Sequence, residues 1–151
     1  MRIVLDSNIL LRLVDSKAAL HPIAVDAIRI LLAQEDQPVT IPQSLFEFWV
    51  VATRPISSNG LGFGIAEAES LMNDLTARFP TQIEGDGLFE NWKSLVTTFS
   101  CSGKVAHDAR YVASMKTLDL NHLLTFNFSD FQRYPGLSIL DPVQLTTPAL
   151  P

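Results

Sequence analysis

The chain has 151 residues, 47% of them hydrophobic and 18% charged, with a net charge of −5. Those proportions exclude a disordered chain and fit a single domain large enough to bury a core. Arg12 and Asp15 interrupt the first apolar stretch and the one around Phe46–Ala52 is short, so nothing approaches the roughly 18 apolar residues that span a bilayer. Cys101 stands alone, which excludes a disulfide framework or a cysteine metal cage. The opening MRIVLDSN lacks the long apolar region of a signal peptide, so a soluble, cytoplasmic protein without a membrane partner is expected. The 11 basic residues are scattered, no two adjacent, and composition alone argues mildly against a nucleic-acid partner.

Arg2–Asp6 reads as a short buried strand whose apolar run stops at a carboxylate. Ser7 or Asn8 can cap a helix through about Val14, and Pro22 suits the first turn of another through about Gln34. Val39–Ile41 is a second strand and Ser44–Thr53 a third helix. Arg54–Gly64, rich in Pro, Ser, Asn and Gly, is a loop: a plain connection, or a flexible or dimer-contact segment. Helical spacing follows over Ile65–Arg78, Leu88–Phe99 and Val105–Leu118, with further strands at Thr81–Ile83, His122–Phe126 and Leu137–Leu140. Short apolar strands alternating with helices predict an α/β domain with a mostly parallel, covered sheet over residues 1–143. Residues 144–151 read as a loose tail. In such sheets, ligands gather at the carboxyl ends of the strands.

Most of the 16 acids, Asp36 and Glu84 among them, sit in polar segments where a solvated role is the default. Asp141, before a proline, suits a turn. Four acids fit less readily. Asp6 closes the first strand, as a helix cap or as a ligand. Glu47 lies in LFEFWVV, where a carboxylate is withdrawn from water and must be protonated, bound to a cation or paired, with Arg54 or Arg12 as partner. Asp108 shares a helix face with Val105, Val112 and Met115, interrupting an apolar stripe. Asp130 follows a late strand, with Asn127 nearer to it, and either could cap a turn. Acids gathered in one pocket repel one another unless a cation neutralises them. Oxygen-only ligands select a hard ion, Mg²⁺ or Mn²⁺. An ion of this kind activates water and polarises a phosphoryl oxygen, which points to phosphoester hydrolysis.

At these residues the sequence resembles PIN-domain proteins of the prokaryotic toxin type, similar to the VapC ribonuclease toxins of toxin–antitoxin pairs. The matching segments are MRIVLDSNILL, IPQSLFEFWVVATRP, NGLG, GKVAHDARYVASM and LLTFNFSDFQRYPGLSILDP, in register over nearly the whole chain. The resemblance implies a three-layer α/β/α sandwich, PIN-like, with a mostly parallel central sheet. It also implies a Mg²⁺-dependent endoribonuclease, with Mn²⁺ as a possible substitute. Asp6, Glu47 and Asp108 would be the metal-binding acids. Where the fullest acidic pattern has a fourth acid this chain has Asn127, with Asp130 beyond it, so both are taken as supporting positions, Asn127 toward the metal through its carbonyl and Asp130 among the catalytic acids. Ser7, Asn8 and Thr125 would orient the acids, and Arg110 would meet a substrate phosphate or pair with a carboxylate. A metal-bound water would attack an RNA phosphodiester with inversion at phosphorus, one carboxylate accepting its proton. A homodimer and a cognate antitoxin, inserting an arginine among the acids, are implied as partners. Two other readings compete: a non-catalytic metal- or RNA-binding module, and a haloacid-dehalogenase-type phosphohydrolase using Asp6 as nucleophile. The second requires an acid where this chain has Asn8.

Overall fold

Ile3, Val4 and Leu5 are each wholly buried, and successive strand residues face opposite sides of a sheet. A strand built from them needs a core on both faces. In the computed structural model, which describes residues 1–147, it has them. Four parallel strands, β1 (Arg2–Leu5), β2 (Gln37–Val39), β3 (His122–Leu124) and β4 (Ser138–Leu140), lie in the order β2-β1-β3-β4. Ile3, Leu5 and Leu124 join the core under α1 (Ser7–Val14), α2 (His21–Ala33), α3 (Pro42–Thr53) and α4 (Ile65–Arg78). Val4, Val39 and Leu123 join the other, under α5 (Leu88–Thr98) and α6 (Lys104–Thr117). The result is a three-layer α/β/α sandwich, and two-sided burial explains why the strands read as unbroken apolar runs. Among the described residues, no helix is long and apolar enough to cross a membrane.

Several boundaries differ from the sequence reading. The second strand begins two residues earlier, at Gln37, and contains Pro38, which an edge strand tolerates because the missing N–H costs no ladder bond on its open side. The strand expected at Thr81–Ile83 shrinks to one bridge between Thr40 and Thr81. Ile83 is 69% exposed, so that segment has no apolar face to bury. Two short α-helices went unpredicted, α7 (Phe128–Phe131) and α8 (Pro142–Thr146), as did a 3-10 turn at Ile56–Ser58. Asp141 caps α8 by accepting from the Val143 N–H at 2.8 Å. Leu145 of α8 packs on the first core, so packed structure continues past the boundary expected at 143. Residues 148–151 of the expected tail lie outside the described residues.

The acids assigned to solvent include two that are held by specific partners. Asp36 is 7% exposed and pairs with the Met1 ammonium at 2.5 Å, fixing the start of β1 beside β2. Glu84 accepts from the buried Ser114 hydroxyl at 2.6 Å.

The glycine-rich segment after α3 is an organised cap. Its backbone N–H groups at Leu61, Gly62 and Phe63 donate to the carbonyls of Val51, Arg54 and Ala52, each at 2.9 Å. They satisfy the orphan acceptors at the end of the helix that carries Glu47. Gly60 passes so near that a Cβ there would lie 1.9 Å from the Arg54 carbonyl oxygen. Gly60→Ala is therefore expected to lower the unfolding free energy by at least about 1 kcal/mol, as overpacking does. Urea denaturation measures this, and an unchanged midpoint would mean that the close approach is not held in solution.

From β1 the chain goes to β2 on one side of the sheet, while β3 lies on the other. Adjacent connections diverge at the carboxyl ends of β1 and β3, the kind of crevice where open parallel sheets bind ligands. Asp6 stands directly after β1, and Thr125 directly after β3.

Candidate active site

Asp6 holds the N-cap position of α1 with extended backbone (φ −67°, ψ 152°), yet its side chain caps nothing. It turns to Thr125, whose hydroxyl donates to Oδ2 at 2.6 Å, and to the Asn8 amide, which donates to the same oxygen at 2.7 Å. The capping alternative therefore fails. The Thr125 hydroxyl uses every valence it has: besides its donation, it accepts from Asn8 at 3.0 Å and from the Asn127 N–H at 2.9 Å. Asn8 Oδ1 accepts from the Phe126 N–H at 3.3 Å. These bonds tie the turn after β3 to the end of β1. Asn8 is thus a bracket without a titratable proton, which leaves Asp6 lacking the acid partner that an aspartyl-nucleophile phosphohydrolase needs.

Glu47 reaches the same place from α3. Among the described residues neither Arg12 nor Arg54 pairs with it, contrary to the ion-pair alternative. Ser7 Oγ donates to Oε2 at 2.9 Å, Tyr111 Oη donates to the same oxygen at 3.2 Å, and Gln43 Nε2 donates to Oε1. Ser7 Oγ also lies 3.2 Å from Asp6 Oδ1. A hydroxyl has one hydrogen, so Ser7 serves one carboxylate at a time and cannot quench both charges. Burial raises the Asp6 carboxyl above its ordinary range; the Thr125 bond opposes this and the nearby Glu47 charge adds to it.

Asp108 lies beyond the first turn of α6, where the helix dipole does little to stabilise a carboxylate. Its carboxyl is also raised, by burial first and then by Asp130; Lys104 pulls it back, Glu47 raises it further and His107 lowers it. Asp6, Glu47, Asp108 and Asp130, from four separate elements, line one cavity of about 490 Å³. Ser7, Asn8 and Asn127 line it as well, while Thr125 supports Asp6 from behind. Arg110 does not reach the cavity, and donates instead to Gln43 Oε1 at 2.5 Å. Contrary to the scattered look of the basic residues, Arg54 and Lys104 line the same cavity, together with His107.

The donors are carboxylate, amide and hydroxyl oxygens, which suits a hard divalent cation. Among the described residues no three His, Cys, Asp or Glu side chains converge closely enough to enclose an ion. The set therefore fits an ion held by few protein oxygens that retains several of its own waters, as Mg²⁺ does.

No protein-family model and no curated protein matches the chain. Solved structures do. A chain of VapBC2 from Rickettsia felis, bound to a promoter DNA fragment, superposes with a TM-score of 0.70 at 14% identity, over 93% of this chain and 98% of its own. VapBC-1 from nontypeable Haemophilus influenzae gives 0.69 at 19% identity, over 95% and 99%. VapC20 from Mycobacterium tuberculosis, a Sarcin-Ricin loop cleaving toxin, gives 0.62 at 17% identity, over 86% and 95%. The chain has a PIN-like fold.

Within this PIN-like fold the structure adds residues that the sequence reading passed over. Tyr111 is three residues after Asp108, and Gln43 is four before Glu47; both spacings put the pair on one helix face. That signal was available. The cross-chain bonds from Tyr111 and Ser7 to Glu47, spanning 64 and 40 residues, were not.

Proposed function

We propose that this protein is a divalent-metal-dependent endoribonuclease and the toxin of a toxin–antitoxin pair. The observation that carries this is the gathering of Asp6, Glu47, Asp108 and Asp130 in one cavity at the carboxyl ends of β1 and β3. The PIN-like fold, shared with a chain of a toxin–antitoxin complex from Klebsiella pneumoniae and with the Sarcin-Ricin loop cleaving toxin, supports it.

Mg²⁺, or Mn²⁺ in its place, would be held by Asp6, Glu47 and Asp108, with Asn127 contributing its carbonyl. When bound, the ion supplies Lewis-acid polarisation of a phosphoryl oxygen and a water of lowered pKa. Ser7, Asn8, Thr125 and Tyr111 keep the acids in place. Asp130 makes no side-chain hydrogen bond among the described residues, which leaves it available to accept a proton from the attacking water. Attack opposite the leaving oxygen would form the new P–O bond as the bond to the leaving oxygen breaks, with inversion at phosphorus. Arg54 and Lys104, which line the same cavity, would meet RNA phosphates and offset the acids' repulsion of the substrate. A cognate antitoxin would block the cavity with a basic side chain placed among the acids, an arrangement that favours arginine. The toxin would act in the cytoplasm as a homodimer.

The test compares wild type with Asp6→Asn on a panel of structured RNAs, with Mg²⁺ and with chelator. Metal-dependent cleavage by wild type alone is the expected result. Metal-dependent RNA binding without cleavage would instead establish the non-catalytic module.

A further inference from the structure

The three hydrogen bonds to Glu47 divide unevenly between its oxygens. Ser7 and Tyr111 both donate to Oε2, whereas Gln43 alone donates to Oε1. A carboxylate has about four lone-pair sites, two on each oxygen. With the Ser7 hydrogen turned to Glu47, its shorter contact, Oε2 is filled and Oε1 keeps one site free. Gln43 is 8% exposed and stands one helical turn before Glu47 on α3. Its carbonyl oxygen accepts from Arg110 Nη1, across from α6, at 2.5 Å. Among the described residues Arg110 pairs with no carboxylate.

A neutral amide thus stands between a guanidinium and a carboxylate. Direct Arg110–Glu47 contact would form a strong charge-assisted pair and occupy the free lone pair on Oε1. With the amide interposed, the guanidinium polarises Gln43 and strengthens its donation, as linked hydrogen bonds do, while the Glu47 charge stays available. We propose that Gln43, backed by Arg110, is a positioning residue that turns Glu47 so that Oε1 presents its free lone pair to a divalent cation in the cavity. The proposal rests on the metal-dependent reading above, but not on RNA cleavage.

Mn²⁺ binding to the full chain, measured by titration calorimetry and by the Mn²⁺ midpoint of thermal stabilisation, tests it. Gln43→Met, close in shape but without the amide, is expected to weaken Mn²⁺ binding by about 10–100-fold, the range for outer partners of metal ligands. Arg110→Met weakens it less, and the double variant is no worse than Gln43→Met alone because the two act in series. A link that merely joins α3 to α6 would lower the melting temperature and leave the Mn²⁺ affinity unchanged. Folded Gln43→Met with wild-type affinity, or additive effects of the two changes, overturns the proposal. Should Gln43→Met not fold, Arg110→Met decides, since its side chain is only partly buried and wild-type affinity there also overturns the proposal. Wild type that binds Mn²⁺ but cuts no RNA refutes the nuclease alone and leaves the relay to be judged on the variants. Wild type that binds no Mn²⁺ refutes both.

Discussion

Asp6→Asn and Asp108→Asn are each expected to reduce metal-dependent RNA cleavage by on the order of 10²–10³-fold while leaving the chain folded. A bound divalent ion supplies several kcal/mol of transition-state stabilisation, and each loss of about 1.36 kcal/mol is tenfold in rate. Asparagine keeps the shape of the aspartate and removes one charged oxygen. At Asp6 the bonding pattern accepts the change. The amide oxygen can face the Thr125 and Asn8 donors, and the amide nitrogen can face Ser7 Oγ, which then donates to Glu47. Loss of cleavage therefore reports on the metal ligand and not on a collapsed site, and a retained melting transition confirms that the fold survives. Asp108→Asn has fewer constraints, since its surroundings act on it through charge and burial. Equal cleavage by wild type and both variants would sink the assignment of these acids.

The strands were legible because both faces of the sheet are covered, which makes Ile3-Val4-Leu5 an unbroken apolar run. The acid that ends it was legible for the same reason, as was the odd placement of Glu47 among large apolar residues. The short helices α7 and α8 were not, because four and five residues are too few to display a helical period. Asp36 and Glu84 looked like surface acids because their partners, the Met1 ammonium and Ser114, lie 35 and 30 residues away. Only folding brings such groups together. The same limit hid how Glu47 is satisfied: pairing with Arg54 or Arg12 was one of the alternatives, whereas neutral donors from α1, α3 and α6 hold it. Net charge hides the site for a related reason. The −5 counts acids without position, and four of them share one cavity with Arg54, Lys104 and His107. With those four acids set aside, the other charged residues of the chain nearly balance.

The stability of the metal-free protein should carry the signature of that crowding. Asp6 and Asp108 both have carboxyls raised above their ordinary range when folded, by burial and by neighbouring acids. The folded state therefore binds these two protons more tightly than the unfolded state does. Their contribution to stability is fully present below the ordinary value of 3.8 and is lost as pH rises through the folded values. At neutral pH both carboxylates work against the fold. Asp108→Asn removes one of them, so without metal this variant should melt above wild type at pH 7, with the gap closing as pH falls toward 3.8. Screening at this partly exposed site limits the gain to about 1 kcal/mol. Divalent metal reverses the order. At 100 times its dissociation constant an ion bound only by the folded state adds about 2.7 kcal/mol, so Mg²⁺ or Mn²⁺ should raise wild type well past Asp108→Asn, which has lost a ligand. Thermal melts of both proteins, with chelator and with Mn²⁺ between about pH 4 and 8, measure the crossing. Parallel curves that never cross would mean that Asp108 carries neither the repulsion nor the metal.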